Sequence, residues 1–118
     1  MKSSWLNKMA KQGESQFIRA VDQRKIEVTG DLTLKTVRKI YAESLKFAGQ
    51  ETLPVEFDLA KVGHIDSAGM ALLLEWQSWA HHHGHHFRFS NAPDHLIKIA
   101  TLSDAEHLLD LHPKDKSA

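Results

Sequence analysis

The segment from Phe57 to Trp76 constrains the fold more than any other part of the chain. It starts as a short apolar strand, turns through Asp66-Ser67-Ala68-Gly69, and continues at once into an apolar helix. Because Asp and Ser are preferred at helix N-termini, this turn places the Ser67 hydroxyl at the exposed start of a helix. Strand–helix–strand connections of this kind imply parallel neighbouring strands in a sheet that helices cover.

Hydrophobic patterning divides the rest of the chain into short strands and amphipathic helices. Apolar and alternating residues predict a hairpin from 16–21 and 25–29 that Gly30 breaks, and further strands over 55–59 and 87–89. Apolar residues three and four positions apart predict helices over 34–47, 67–81 and about 94–102, before a short final turn. Gly49 and Gly84 follow the first two helices at positions that favour a helix end.

The resulting order, β-β-α-β-α-β-α, predicts an α/β fold. It is expected to be a mixed β-sheet that helices cover on one face and leave open on the other. We expect a single domain over 16–112, with a loose N-terminal extension at 1–15 and a charged tail at 113–118.

Composition excludes several classes of function. The 118-residue chain has 15 basic and 15 acidic residues, so it has no basic field to attract nucleic acid or anionic lipid. No apolar run is long enough for direct membrane insertion or for a signal peptide, and there are no cysteines. The sequence contains neither a Walker-type glycine-rich loop nor a nucleophile elbow, and no cofactor is predicted. A cytoplasmic location is compatible with these features.

The helix that begins at Ser67 carries two apolar stripes, which is more than packing on one side of a sheet requires. The stripe predicted to be buried consists of Gly69, Leu72, Leu73, Trp76 and Ala80. The second stripe is headed by Ser67 and contains Met70, Ala71 and Leu74. It is either a partner surface or a face covered by the neighbouring helix. The predicted partner-binding residues are Asp66, Ser67, Ala68, Gly69, Met70, Ala71 and Leu74.

Ser67 has three interpretations. In the simplest, Asp66 and Ser67 only cap the helix. In the second, Ser67 is phosphorylated, since the free amides of a first helical turn accommodate a phosphate whose charge could dissolve an interface. In the third, His64 activates Ser67 as a nucleophile, but neighbours across a tight turn seldom reach the required geometry. We therefore predict no catalytic residue and no enzyme.

A cluster of five histidines follows the same helix. Neutral imidazoles bind nickel, zinc or copper, but a functional metal site also needs fixed geometry and supporting contacts. The sequence therefore predicts only adventitious metal binding in a solvated helix end, and a metal-buffering protein is the weaker alternative. These histidines are His81, His82, His83, His85 and His86.

The turn and its surroundings resemble the STAS domain, a fold shared by sulfate transporters and anti-sigma-factor antagonists. The family pattern is a strand, a turn, and Asp-Ser/Thr-x-Gly-Leu at a helix start, and Met70 here replaces the leucine. The likeness covers roughly Phe17 to Leu109. Segments 57–59, 66–76 and 87–93, followed by Leu96 and 99–103, look most like the small STAS subunit of the bacterial Mla phospholipid-transport system.

This resemblance implies a non-enzymatic cytoplasmic subunit that binds the ATPase of an ABC transporter for phospholipids and supports outer-membrane lipid asymmetry. Through the ATPase it would associate with the membrane permease, and so lie peripherally at the inner membrane. The family's critical serine or threonine corresponds to Ser67, and partner contacts lie on the helix that follows. The alternative is an anti-sigma factor antagonist that a switch kinase phosphorylates at Ser67.

Overall fold

The computed structural model describes residues 17–45 and 54–114. The elements in chain order are β1 (Ile18–Ala20), β2 (Lys25–Leu32), α1 (Val37–Ser44), β3 (Glu56–Ile65), α2 (Ser67–His82), β4 (Arg88–Ala92), α3 (Asp94–Leu102), a 3-10 turn (Glu106–Leu108) and β5 (Leu111–Pro113). The predicted extension at 1–15 and the helix end at 46–49 lie outside the described residues.

The five strands form one mixed sheet in the order β1-β2-β3-β4-β5. Strands β1 and β2 are antiparallel, as expected for a hairpin, whereas the three remaining neighbouring pairs are parallel. In the central strand, Phe57 pairs with Ile26 on one side and with Phe89 on the other. The helical crossovers therefore start at the carboxyl edge of the sheet and return along one face.

The apolar face of the sheet and the described helices share one hydrophobic core. Phe57 is fully buried at its centre, where its ring stacks on Trp76 at 4.7 Å and meets Phe87 edge-on at 4.9 Å. Trp76 also joins α2 to α1, because its indole N–H donates to the buried Ser44 hydroxyl at 2.8 Å. Aromatic packing and this hydrogen bond thus fix both helices against β3.

The opposite face of the sheet is polar. Lys25 lies 3.6 Å from the Asp58 carboxylate on the neighbouring strand, and Lys61 lies 3.4 Å from Glu27. Burial raises the pKa of Asp58, but hydrogen bonds from Asn91 and Ala60 and the charge of Lys25 bring it below its usual range. The prediction of helices on one face and an open second face is confirmed.

A buried glutamine fastens α2 to the start of β4. The Gln77 side-chain amide donates to the Phe87 carbonyl at 2.7 Å and accepts from the Phe87 N–H at 2.8 Å. The side chain is only 2% exposed, so this pair of hydrogen bonds replaces the strand partner that Phe87 lacks here.

Several boundaries differ from the sequence prediction, and the largest difference is that β3 extends to Ile65 instead of ending at residue 59. Gly30 does not end β2, because its positive φ of 94° carries the strand through an irregularity in its pairing with β3. The first helix begins at Val37 instead of Leu34, since the Thr36 hydroxyl closes a turn by hydrogen bonding to the Asp31 carbonyl. Pro113 belongs to β5 and not to the tail, which adds a final strand to the predicted order.

Candidate functional site

The Asp-Ser-Ala-Gly turn lies at the carboxyl edge of the sheet, between β3 and α2. Asp66 is the N-cap of α2: its Oδ1 accepts hydrogen bonds from the backbone N–H of Ala68 at 2.9 Å and of Gly69 at 3.1 Å. Ser67 is therefore the first residue of the helix and its side chain is exposed. The sequence left open whether Asp66 and Ser67 both only cap the helix. In the structure Asp66 caps it, and the Ser67 side chain faces solvent.

Asp66 also joins α2 to the loop that follows β2. Its Oδ2 accepts a hydrogen bond from the Leu34 N–H at 3.1 Å, and its own N–H donates to the Leu32 carbonyl at the same distance. The hydrogen bond from the Leu34 amide is the main cause that lowers the pKa of the Asp66 carboxyl. Desolvation raises this pKa, but the Gly69 and Ala68 amides lower it further, so that the net shift is downward. The carboxylate thus holds two separate segments of the site in register.

Gly69 and Met70 are not surface residues. A Cβ added to Gly69 would lie 2.1 Å from the Leu32 carbonyl oxygen, so the glycine is what lets α2 approach β2 this closely. Met70 is only 7% exposed and belongs to the core. The burial of Gly69 agrees with its place in the stripe predicted to be buried, whereas the spacing places Met70 on the second stripe. Both residues shape the site from within, and their contact with a partner stays a prediction.

The remaining predicted residues form an accessible face of α2. Ser67 and Ala71 are exposed, while Ala68 and Leu74 are half-buried. We call this set, with Asp66 at its start, the α2 face. It offers a free hydroxyl amid small apolar side chains, which suits contact with another protein surface.

A groove beside the α2 face contains residues that the sequence analysis missed. It lies between α1 and α2, and Leu34, Lys35 and Arg38 line it opposite Ala68 and Ala71. Leu34 is 77% exposed although it is apolar. These residues could have been found from the strand order. Because β2 and β3 are parallel neighbours, the loops after both strands meet at one edge of the sheet.

The Ser67 hydroxyl makes no hydrogen bond within the part of the chain that the structure describes. His64 instead uses its backbone N–H to donate to the Asp31 carboxylate at 2.9 Å. The Ala68 and Gly69 amides, expected to accommodate a phosphate on Ser67, already bind the Asp66 carboxylate. A phosphate on Ser67 would therefore add its charge beside an existing negative charge.

The histidines at the other end of α2 do not converge on one point, although two of them, His81 and His86, contact each other. His82 and His83 hydrogen bond to the backbone carbonyls of Ser78 and Trp79, each at 2.9 Å. His81 lies 3.2 Å from His86, with ring nitrogens facing each other. Among the described residues, no group of three or more potential ligands could hold a metal ion. Adventitious binding through His81, His82, His83, His85 and His86 stays a prediction.

Asp110 links this histidine cluster to the edge strand β5. Its carboxylate lies 2.9 Å from Nε2 of His86 and 2.8 Å from Nε2 of His112, and since it only accepts, both nitrogens must carry protons. Burial raises the pKa of Asp110, but these two hydrogen bonds and the charge of the two rings bring it below its ordinary value. The contacts are structural, because they tie the loop before β4 to β5.

Removing the Asp66 carboxylate should destabilise the domain in a pH-dependent way. Asp66→Ala is expected to lower the free energy of unfolding by about 1 kcal/mol at pH 7, the usual effect of losing an N-cap. Because folding lowers the Asp66 pKa, this stabilisation is complete above the ordinary value of 3.8 and is lost as the pH falls through the folded value. Urea unfolding from pH 7 to pH 2.5 measures the difference.

Asp66→Asn is the matched control, since asparagine caps helices without a charge. At pH 7 the Asp66→Asn protein should be more stable than Asp66→Ala and nearer in stability to the wild type. The loss of stability that the wild type shows as the Asp66 carboxylate is protonated should be absent in this variant. Equal stability of Asp66→Ala and the wild type at pH 7 would contradict the role assigned to Asp66.

A family model described as "Mlab, STAS domain" matches residues 15–110, which is most of the chain. The chain belongs to the STAS domain family. No curated protein matches it significantly. No described helix of this STAS domain has the length and apolarity needed to cross a membrane.

Two solved structures share the fold of this STAS domain. The anti-sigma factor antagonist SpoIIAA in its unphosphorylated form is 16% identical, with a TM-score of 0.63 over 80% of this chain and 84% of that chain. A sulfate transporter family protein from Wolinella succinogenes is 20% identical, with a TM-score of 0.59 over 75% of each chain. These similarities confirm the predicted STAS fold, while the Mla branch stays a prediction.

Proposed function

We propose that this STAS domain is a cytoplasmic, non-enzymatic subunit that docks on the ATPase of an ABC transporter for phospholipids. Through the ATPase it associates with the membrane permease and lies peripherally at the inner membrane, where the transporter supports outer-membrane lipid asymmetry. The observation that carries this proposal is the α2 face, an accessible surface headed by the free Ser67 hydroxyl. The family model, whose description includes Mlab, supports the transport branch.

The site is built for binding. The Asp66 carboxylate accepts hydrogen bonds from three backbone amides, and small or apolar side chains follow Ser67 along the helix. STAS domains in general regulate or bind other proteins, and a preformed helix face loses little conformational entropy when it docks. We therefore assign Ser67, Ala68, Ala71 and Leu74 to partner contact, and Asp66 to holding that face in place.

A second candidate function is that of an anti-sigma factor antagonist switched by phosphorylation of Ser67. The similarity to SpoIIAA and the exposure of Ser67 favour it. This function requires a phosphorylated form in native cells, which the intact mass of the purified chain would reveal. The transport function requires no such form.

Ser67→Arg should weaken binding to the ATPase by more than about tenfold, because a long cation placed within a small-residue contact prevents close packing. The partner is first recovered from the native cell with a chain tagged at its C-terminus, on a resin other than nickel. Binding of the purified ATPase is then measured by isothermal titration calorimetry.

Ser103→Arg is the matched control, because Ser103 is an exposed serine at the opposite end of the α/β layer, where α3 ends. It should bind the ATPase as the wild type does. Undiminished binding by Ser67→Arg would count against the α2 face, and recovery of a kinase-like anti-sigma factor instead of an ATPase would favour the second function.

A further inference from the structure

The groove between α1 and α2 has an unbalanced charge. Of the residues that the structure describes, Lys35 and Arg38 line it and no acidic side chain does. Among the described residues, neither cation has a carboxylate within ion-pair distance. The cations of the open sheet face differ, since Lys25 and Lys61 are both paired across strands. The groove therefore keeps a local positive field although the chain as a whole has no net charge.

The same groove exposes apolar surface to water. Leu34 projects from the loop after β2, and Tyr41 on α1 is 41% exposed. The exposed Ala71 of α2 lies opposite them, above a floor formed by the buried Leu72. Apolar side chains flanked by unpaired cations are complementary to a segment that carries both apolar and acidic residues.

We propose that this groove binds an acidic, amphipathic surface segment of the ATPase. Apolar side chains of that segment pack on Leu34 and Ala71, while its carboxylates bind Lys35 and Arg38. The Arg38 guanidinium can hold a carboxylate through two parallel hydrogen bonds. This inference rests on the proposed function for the identity of the partner, and it defines the chemistry that the partner must present.

The position of Ser67 connects the groove to the α2 face. Ala68, which follows Ser67 in the chain, lines the groove, and a phosphate on Ser67 would bring a charge of about −1.5 to −2 at pH 7 to the same end of α2. It would repel the same acidic segment that Lys35 and Arg38 attract.

Charge reversal tests the groove in the complex with the ATPase. Lys35→Glu combined with Arg38→Glu should weaken binding by about tenfold or more, since like charges would then face each other. Lys39→Glu combined with Lys98→Glu is the control, because it changes the net charge equally at exposed sites that do not line the groove. Wild-type affinity should also fall as salt rises from 50 to 300 mM, with a smaller change for the groove variant.

The outcomes separate the two proposals. If both double variants bind equally well while Ser67→Arg still prevents binding, the groove inference is overturned and the proposed function stands. If Ser67→Arg also binds the ATPase normally, the proposal that the α2 face contacts the ATPase is overturned. Thermal unfolding of all variants should match the wild type, because the substituted side chains are exposed.

A second measurement does not depend on recovering the ATPase. The isotope-labelled chain is titrated with a synthetic amphipathic peptide of leucine and glutamate, and separately with its leucine and lysine counterpart of equal length. Amide shifts should occur at Leu34 and Ala71 with the acidic peptide alone, and they should disappear in the double variant Lys35→Glu, Arg38→Glu. No shift, or equal shifts with both peptides, would overturn the groove inference.

Discussion

Gly69→Ala is expected to lower the free energy of unfolding by about 3 kcal/mol, the upper part of the usual range for overpacking a core. The added Cβ would lie 2.1 Å from the Leu32 carbonyl oxygen and 2.8 Å from its carbonyl carbon. The neighbour is backbone and cannot rotate away. Its carbonyl also accepts the Asp66 N–H, so any retreat would weaken the junction between β2 and α2. Urea unfolding at pH 7 measures the loss.

Gly84→Ala separates this steric effect from the general cost of replacing a glycine. No described residue places an atom within 4 Å of a Cβ added to Gly84, so the cost of this substitution comes from the positive φ of 72° and should be about 1 kcal/mol. A Gly69→Ala variant as stable as Gly84→Ala would show that β2 and α2 can move apart. Such movement would also widen the groove that we assign to partner binding.

Gln77→Leu is expected to cost about 2–4 kcal/mol, although leucine is similar in size and more apolar. The substitution leaves both the N–H and the carbonyl of Phe87 without their partner inside the protein, and each unsatisfied buried group costs about 1–3 kcal/mol. Because Phe87 packs edge-on against Phe57, disorder at this point would spread into the aromatic core. Denaturant unfolding monitored by tryptophan fluorescence reports both effects.

Ser78→Ala is the control, since Ser78 is the exposed neighbour of Gln77 on α2 and should change stability by less than about 0.5 kcal/mol. Gln77→Glu provides a further check of the mechanism. A carboxylate accepts from the Phe87 N–H but cannot donate to its carbonyl, whereas a protonated carboxyl does both. The Glu variant should therefore regain stability relative to the wild type as the pH is lowered towards 4. A Gln77→Leu protein as stable as the wild type would contradict this account.

The sequence predicted the central strand–turn–helix unit because three local signals agree there. Apolar residues precede the turn, Asp66 has the side chain of an N-cap, and the spacing from Gly69 to Ala80 gives a helical stripe. The same local rules failed at β5, since three residues ending in Pro113 show no alternation. They also failed at Gly30, whose positive φ serves a strand irregularity and not a break.

The surface of the site could be predicted only in part. Spacing placed Met70 and Ala71 on one stripe, but it contains no information on how far the neighbouring elements cover each residue, and Met70 proved to be buried. Leu34 was missed because 32 residues separate it from Asp66, its hydrogen-bond partner. Only the parallel pairing of β2 with β3 brings these two loops together. The identity of the partner stays a prediction.

Helix α2 carries its two conspicuous features at opposite ends. Its 16 residues span about 24 Å, with Ser67 at the N-terminus and the exposed His81 and His82 at the C-terminus. If the histidine cluster anchors the chain on a nickel-coated sensor, every molecule will stand in the same orientation with Ser67 pointing away from the surface. The chain could then be immobilised in one orientation through its own histidines, with no added tag near the docking region.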